Sequence, residues 1–167
     1  MPTTVRLAAI QSNRVPSCEG LKTDPYQGDF SLADLFTSID RRITWYEGLL
    51  AQAAKDRIAL AVLTEDFTRL SSCTTYLDDP TIFRAAVEKQ NTLIPERLGD
   101  AARKHAMYIV ACYYAREEEA IYNVADLFGP QGQLVGRYRK VHLPQYERWQ
   151  VAAGDAFPAF ETELGWV

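Results

Sequence analysis

Ile58–Leu63 reads IALAVL, six apolar residues with no polar break. A run this short and uniformly apolar suits a strand covered on both faces, as in parallel sheets packed between layers. A strand with one face in water would alternate apolar and polar residues, and this one does not. The run ends in Thr64-Glu65-Asp66, so a carboxylate stands just past the carboxyl end of a buried strand. In open α/β sheets, ligands bind at that edge.

The rest of the chain arranges itself around this strand. Val5–Gln11 is a first strand, with LAAI at its centre. Ser12–Phe30 carries Pro16, Gly20, Pro25 and Gly28 and reads as a loop. Ser31, followed three residues later by Asp34, is a weakened capping box. Behind it Leu35, Ile39, Ile43, Tyr46 and Leu50 recur at three- and four-residue steps, the period of an amphipathic helix. Asp79-Pro80 resembles an N-cap and first helical position, and Pro95 predicts either two helices or one kinked helix. Met107–Tyr114, Ala120–Phe128 and Gln133–Tyr138 are further strands, the last two joined by a hairpin at Gly129-Pro130-Gln131-Gly132. A loop then runs from Lys140 to Asp155, before a strand-like run at Phe157–Glu161.

The order β-α-β-α-β-β-β is that of an α/β fold. With no linker, repeat or low-complexity tract, residues 1–167 read as a single domain. Right-handed crossovers put both helices on one side of the sheet. The other face then needs a second layer, and the apolar end at Trp166-Val167 points the same way. The expectation is a fold incomplete at its C-terminus.

Charge narrows the function classes. Eighteen Lys and Arg against 22 Asp and Glu leave a net charge of −4, with no global attraction to nucleic acid or an anionic membrane. No run approaches a membrane span, and the four apolar residues after Arg6 fall short of a signal-peptide core. Cys18, Cys73 and Cys112 are odd in number and lack metal-like spacing. Cys112, within an apolar run, suits a small buried hydrophobe. A reducing, cytoplasmic location is expected. His105 and His142 belong to no zinc-like grouping, and P-loop, G-x-G-x-x-G and G-x-S-x-G motifs are absent.

Two places could carry chemistry. Glu65, shielded in part by the loop Thr68–Asp79, is expected to have a raised pKa suited to a general base. On position alone such a residue is more often a solvated loop acid or a helix-capping group. Lys140 sits in Tyr138-Arg139-Lys140-Val141-His142-Leu143-Pro144 directly after a strand and could form an anion or oxyanion site. It equally suits a solvated strand end, and Glu147 or Arg148 an internal ion pair.

Four segments, in order, resemble the nitrilase superfamily of carbon–nitrogen hydrolases: VRLAAIQSN, AVLTEDF, YNVADLFGPQGQLVGRYRKVHLP and ERWQVAAGDAFPAFETELGWV. The third is the most specific, and together they cover nearly the whole chain. The resemblance implies an α-β-β-α sandwich of which this chain is the N-terminal portion. It implies Glu65 as general base, Lys140 as the oxyanion-stabilising lysine and Glu147 as the second carboxylate, which holds the lysine. Lys140 between two carboxylates should stay protonated. The family's nucleophilic cysteine lies a short step beyond the segment matched by GWV, and none of Cys18, Cys73 and Cys112 matches its motif.

Thr64 and Ala153 stand where the family usually has proline, which touches substrate choice more than membership. YRKVHLP is similar to the amidase and carbamoylase branches, so the implied substrate is a small-molecule amide. No metal or organic cofactor is implied, no nucleic-acid or membrane partner, and the intact parent would be a homo-oligomer, a dimer. Two other readings stand beside it. One is a non-catalytic binding or structural remnant of the same fold; the other is a nucleic-acid binder built on Arg137, Arg139 and Lys140.

Overall fold

The computed structural model describes residues 4–11, 31–71 and 80–167. Five strands form one mixed sheet in the order β1 (Leu7–Ile10), β2 (Leu60–Leu63), β3 (Tyr108–Glu117), β4 (Ala120–Phe128) and β5 (Leu134–Arg139). The first three are parallel, and β4 and β5 are added as antiparallel hairpins. The crossovers contain α1 (Leu32–Lys55) and α2 (Pro80–His105).

Ser31 caps α1: the Asp34 amide donates to Ser31 Oγ at 3.1 Å, and that hydroxyl donates to the Asp34 carboxylate at 2.8 Å. The Asp79 cap and the loop prolines and glycines before Ser31 lie outside the described residues. Pro95 neither ends nor divides α2, which runs on to His105. Val87, Gln90, Ile94, Leu98, Ala101 and Ala102 stay buried in register on either side of it. Burial of that stripe outweighs the lost backbone hydrogen bond, which costs about 3 kcal/mol in an isolated helix. Arg97 fastens α2 to α1, its guanidinium reaching Asp40 at 2.7 Å and both Glu47 oxygens at 2.5 and 2.8 Å.

Both helices cover the same sheet face. Ala61, Leu63, Ile109, Ala111 and Tyr113 point into the core they share with Leu35, Ile39, Ile43, Leu50, Ile94 and Leu98. On the opposite face, Leu60, Tyr108 and Leu127 make a smaller cluster with Val110, Val135, Phe160 and Leu164. Its cover comes from the segment leading into a short hairpin, β6 (Glu161–Thr162) with β7 (Gly165–Trp166). Phe160 lies so close to Gly136 that a Cβ there would meet its ring at 2.2 Å. The hairpin is shorter, and starts later, than the strand-like run Phe157–Glu161 suggests. Toward β1 the same face is open, with Leu7 63% and Val62 37% exposed. Among the described residues no helix is long and apolar enough to cross a membrane.

Candidate active site

The parallel strands deliver their carboxyl ends to one edge of the sheet. Glu65 stands two residues past the end of β2, and Lys140 directly follows β5. The Lys140 amide donates to the Asn123 carbonyl on β4 at 2.8 Å, which extends the ladder by one residue and fixes where the side chain starts. Glu147 opens a 3-10 turn, Glu147–Trp149, in the loop after β5.

These residues form one hydrogen-bonded cluster. Lys140 Nζ donates to Glu65 Oε1 at 2.5 Å and to Glu147 Oε2 at 3.0 Å. Asn123 Nδ2 bridges the same carboxylates, 3.0 Å from Glu65 Oε1 and 3.1 Å from Glu147 Oε1. Tyr114 Oη donates to Glu147 Oε1 at 2.7 Å. The two acids differ in surroundings: the Glu147 side chain is 5% exposed and that of Glu65 61%. Glu147 is therefore the buried anchor and Glu65 the reachable group.

The electrostatics correct one expectation. Glu65 does not have a raised pKa; the hydrogen bond from Lys140 holds its carboxyl below the ordinary value, against partial burial. Burial pulls the Lys140 ammonium down, but its bonds to Glu65 and Glu147 outweigh this and leave it above its ordinary value. The two shifts are opposite in sign, as for a carboxylate and an ammonium that stabilise each other's charged form.

A cavity of about 300 Å³ opens beside Glu65 and is lined also by Tyr46, Thr64, Arg69, Tyr114 and Tyr146. Asp66 shapes its wall. Its carboxylate accepts from the Leu70 and Ser71 amides, both at 2.9 Å, and from Ser71 Oγ at 2.6 Å. Burial nevertheless raises the Asp66 pKa to about 6, so folding favours the protonated acid. Between the ordinary value and 6 the native state holds more protons, and stability falls as pH rises through that window. Urea unfolding from pH 4 to 7 should show wild type gaining about 2 kcal/mol on Asp66→Asn toward the acid end. Parallel stability profiles would mean that Asp66 stays ionised throughout.

Glu65, Lys140 and Glu147 are thus brought together. His142 is not; its ring lies 6.2 Å from that of Phe157. Arg137 and Arg139 are bound to carboxylates, Arg137 to Asp126 and Glu117, and Arg139 to Glu117. With Lys140 paired as well, the three cations proposed for nucleic acid are all engaged. Cys18 and Cys73 lie outside the described residues, and Cys112 is half-buried on β3 rather than fully buried. Burial, then the charges of Glu65 and Asp126, push its thiol up to about 11, far from a thiolate at neutral pH. Among the described residues no group of three or more His, Cys, Asp or Glu could hold a metal ion.

Asn123 and Tyr114 were not singled out from the sequence. The available signal was Asn123 itself, an amide inside the apolar strand AIYNVADLF, where burial demands a partner.

The family model described as carbon-nitrogen hydrolase matches residues 33–167. The chain is 32% identical over 116 residues to a nitrilase of Pyrococcus abyssi, covering 70% of this chain and 43% of that protein. It is 34% identical over 77 residues to omega-amidase NIT2 of Xenopus tropicalis, covering 40% of this chain and 28% of that protein. The fold matches the crystal structure of a carbon-nitrogen hydrolase from Helicobacter pylori G27 with a TM-score of 0.66. That match has 24% identity and covers 77% of this chain and 45% of the other. The chain spans less than half the length of these relatives.

Proposed function

The chain belongs to the carbon-nitrogen hydrolase family, and on that footing we propose that it supplies the proton-transfer and oxyanion-stabilising groups for hydrolysis of a non-peptide amide. The observation that carries this reading is Lys140 held between Glu65 and Glu147 at the mouth of a cavity. Glu147, fixed by Tyr114 and Asn123, keeps the ammonium in place while Glu65 remains free to exchange protons.

In this mechanism a cysteine thiolate adds to the amide carbon, and the carbonyl electron pair moves to oxygen. The Lys140 ammonium donates a hydrogen bond to that oxyanion. Glu65, having taken the thiol proton, passes it to the departing amine as the C–N bond breaks and a thioester is left. Water then attacks the thioester, giving its proton to Glu65, and the acid departs as the thiol re-forms. A lowered Glu65 pKa suits this cycle, because the carboxylate is unprotonated at rest and ready to accept. We assign the nucleophile to none of Cys18, Cys73 and Cys112: none matches the family motif, and the Cys112 thiol is held protonated. The amide preference follows the likeness of Tyr138–Pro144 to the amidase branch.

The test is ammonia release from a panel of aliphatic amides, carbamoyl compounds and nitriles. It is run with the protein as its gene encodes it and with the 167-residue chain alone. Turnover of amides by the former, lost in Glu65→Gln, and none by the latter are expected. Turnover by the 167-residue chain that Cys112→Ala abolishes would overturn the assignment of the nucleophile. Turnover of nitriles alone would overturn the amide preference. No turnover with any compound would favour a binding role for the same fold.

A further inference from the structure

A second cavity, of about 450 Å³, lies behind the turn that presents Glu147 and shares no lining residue with the one beside Glu65. Its walls come from elements far apart in the chain. Arg84 reaches it from α2, Arg116 from β3, and Arg148 and Trp149 from the 3-10 turn. The floor is continuous, because the Ala152 amide donates to the Ile121 carbonyl at 2.8 Å.

The three guanidinium groups are not equivalent. Arg116 is committed: it binds Glu88 at 2.8 Å and the Glu118 carbonyl at 3.0 Å, and its backbone is held on both sides by Asn91. Arg148 uses only Nε, which donates to the Leu143 carbonyl at 3.1 Å. That bond orients the guanidinium and, among the described residues, leaves its two terminal nitrogens unused. Neither Arg148 nor Arg84 has a carboxylate within ion-pair distance among the described residues. Glu119, the acid on the rim, is 98% exposed and sits 3.6 Å from Arg116, too weakly held to neutralise the other two. Beside them the Trp149 indole is 82% exposed.

We propose that this cavity is a binding site for a small anion bearing a carboxylate or phosphate on a flat apolar body, read by Arg84 and Arg148 and stacked on Trp149. Guanidinium forks match the oxygen spacing of either anion, and an exposed indole beside them gives a flat face for the ligand's body. The cavity volume falls within the range of small-molecule sites. This assignment does not depend on the chemistry proposed at Glu65.

The test is calorimetric titration of the protein, as its gene encodes it, with phenyl phosphate, benzoate, inorganic phosphate and benzyl alcohol. Chemical shifts of the tryptophan indole N–H groups are followed in parallel. Saturable binding of phenyl phosphate or benzoate that shifts the Trp149 signal is expected, with inorganic phosphate weaker and benzyl alcohol silent. Whichever of the first two binds tighter identifies the anion. Arg148→Gln and Arg84→Gln should each weaken binding about tenfold, while Arg69→Gln, in the cavity beside Glu65, leaves it unchanged. Arg84 and Arg148 are at the surface, so melting curves matching wild type will show that the variants are folded. No saturable binding, or binding that Arg84→Gln and Arg148→Gln both leave intact, would overturn the proposal. So would binding that Arg69→Gln removes, since the ligand would then sit beside Glu65.

Discussion

On the proposed mechanism, replacing Lys140 by alanine in the protein as its gene encodes it is expected to lower kcat/KM for amide hydrolysis by about 10²–10³, the usual cost of one preorganised oxyanion donor. The loss should fall on kcat, because the ammonium is needed most when the carbonyl oxygen becomes negative. A second signature follows from Glu65. Lys140 is the main reason its carboxyl titrates below the ordinary value, so removing the ammonium should move the acidic limb of the pH–rate profile upward. Glu147 would then sit buried with Tyr114 and Asn123 as its remaining donors. Lys140→Ala retaining full kcat, or an acidic limb that does not move, would remove this residue from the mechanism.

The largest loss of stability is expected at Arg137→Met. Arg137 binds Asp126 through Nε at 2.5 Å and Nη2 at 2.6 Å, and the Asp126 side chain is completely buried. Tyr113 Oη donates to the same carboxylate at 2.6 Å, and burial pushes that phenol well above its ordinary value. Glu117 closes the network by bridging Arg137 and Arg139. Taking away one partner of a buried pair leaves the other charged and desolvated, which costs about 3–5 kcal/mol. Urea unfolding will measure it, and Asp126→Asn in the Arg137→Met background should recover part of the loss. An Arg137→Met chain as stable as wild type would mean that water reaches Asp126.

The sheet and α1 were legible because apolar spacing is local information: IALAVL and the steps from Leu35 to Leu50 each need one surrounding to make sense. Pro95 leaves one helix or two open because a propensity is local too, whereas the stripe from Val87 to Ala102 that carries α2 past it is buried by residues distant in sequence. The site divides in the same way. Glu65, Lys140 and Glu147 were found through the quoted motifs. Tyr114 and Asn123 become partners only through the register that places them opposite each other on β3 and β4. The direction of the Glu65 shift failed for this reason: its loop is visible in the sequence, but an ammonium 75 residues away is not.

The segment between Lys140 and Gly154 leaves the sheet and returns to its starting point, since the Gly154 amide donates to the Lys140 carbonyl at 2.9 Å. A Cβ at position 154 would meet the Arg139 carbonyl oxygen at 2.2 Å, so only glycine permits the closure. What lies inside is tied at its neck, as in compact surface loops generally. Lys140 is positioned by the neck, whereas Tyr146, Glu147, Arg148 and Trp149 ride on the excursion. Such a module can change at Tyr146, Arg148 and Trp149 without disturbing the strand that aims the lysine, as long as Glu147 keeps its bond to the ammonium. Variation in what the two cavities admit thus has a natural place to occur, on a loop whose fixed point is Glu147, the carboxylate that holds the ammonium.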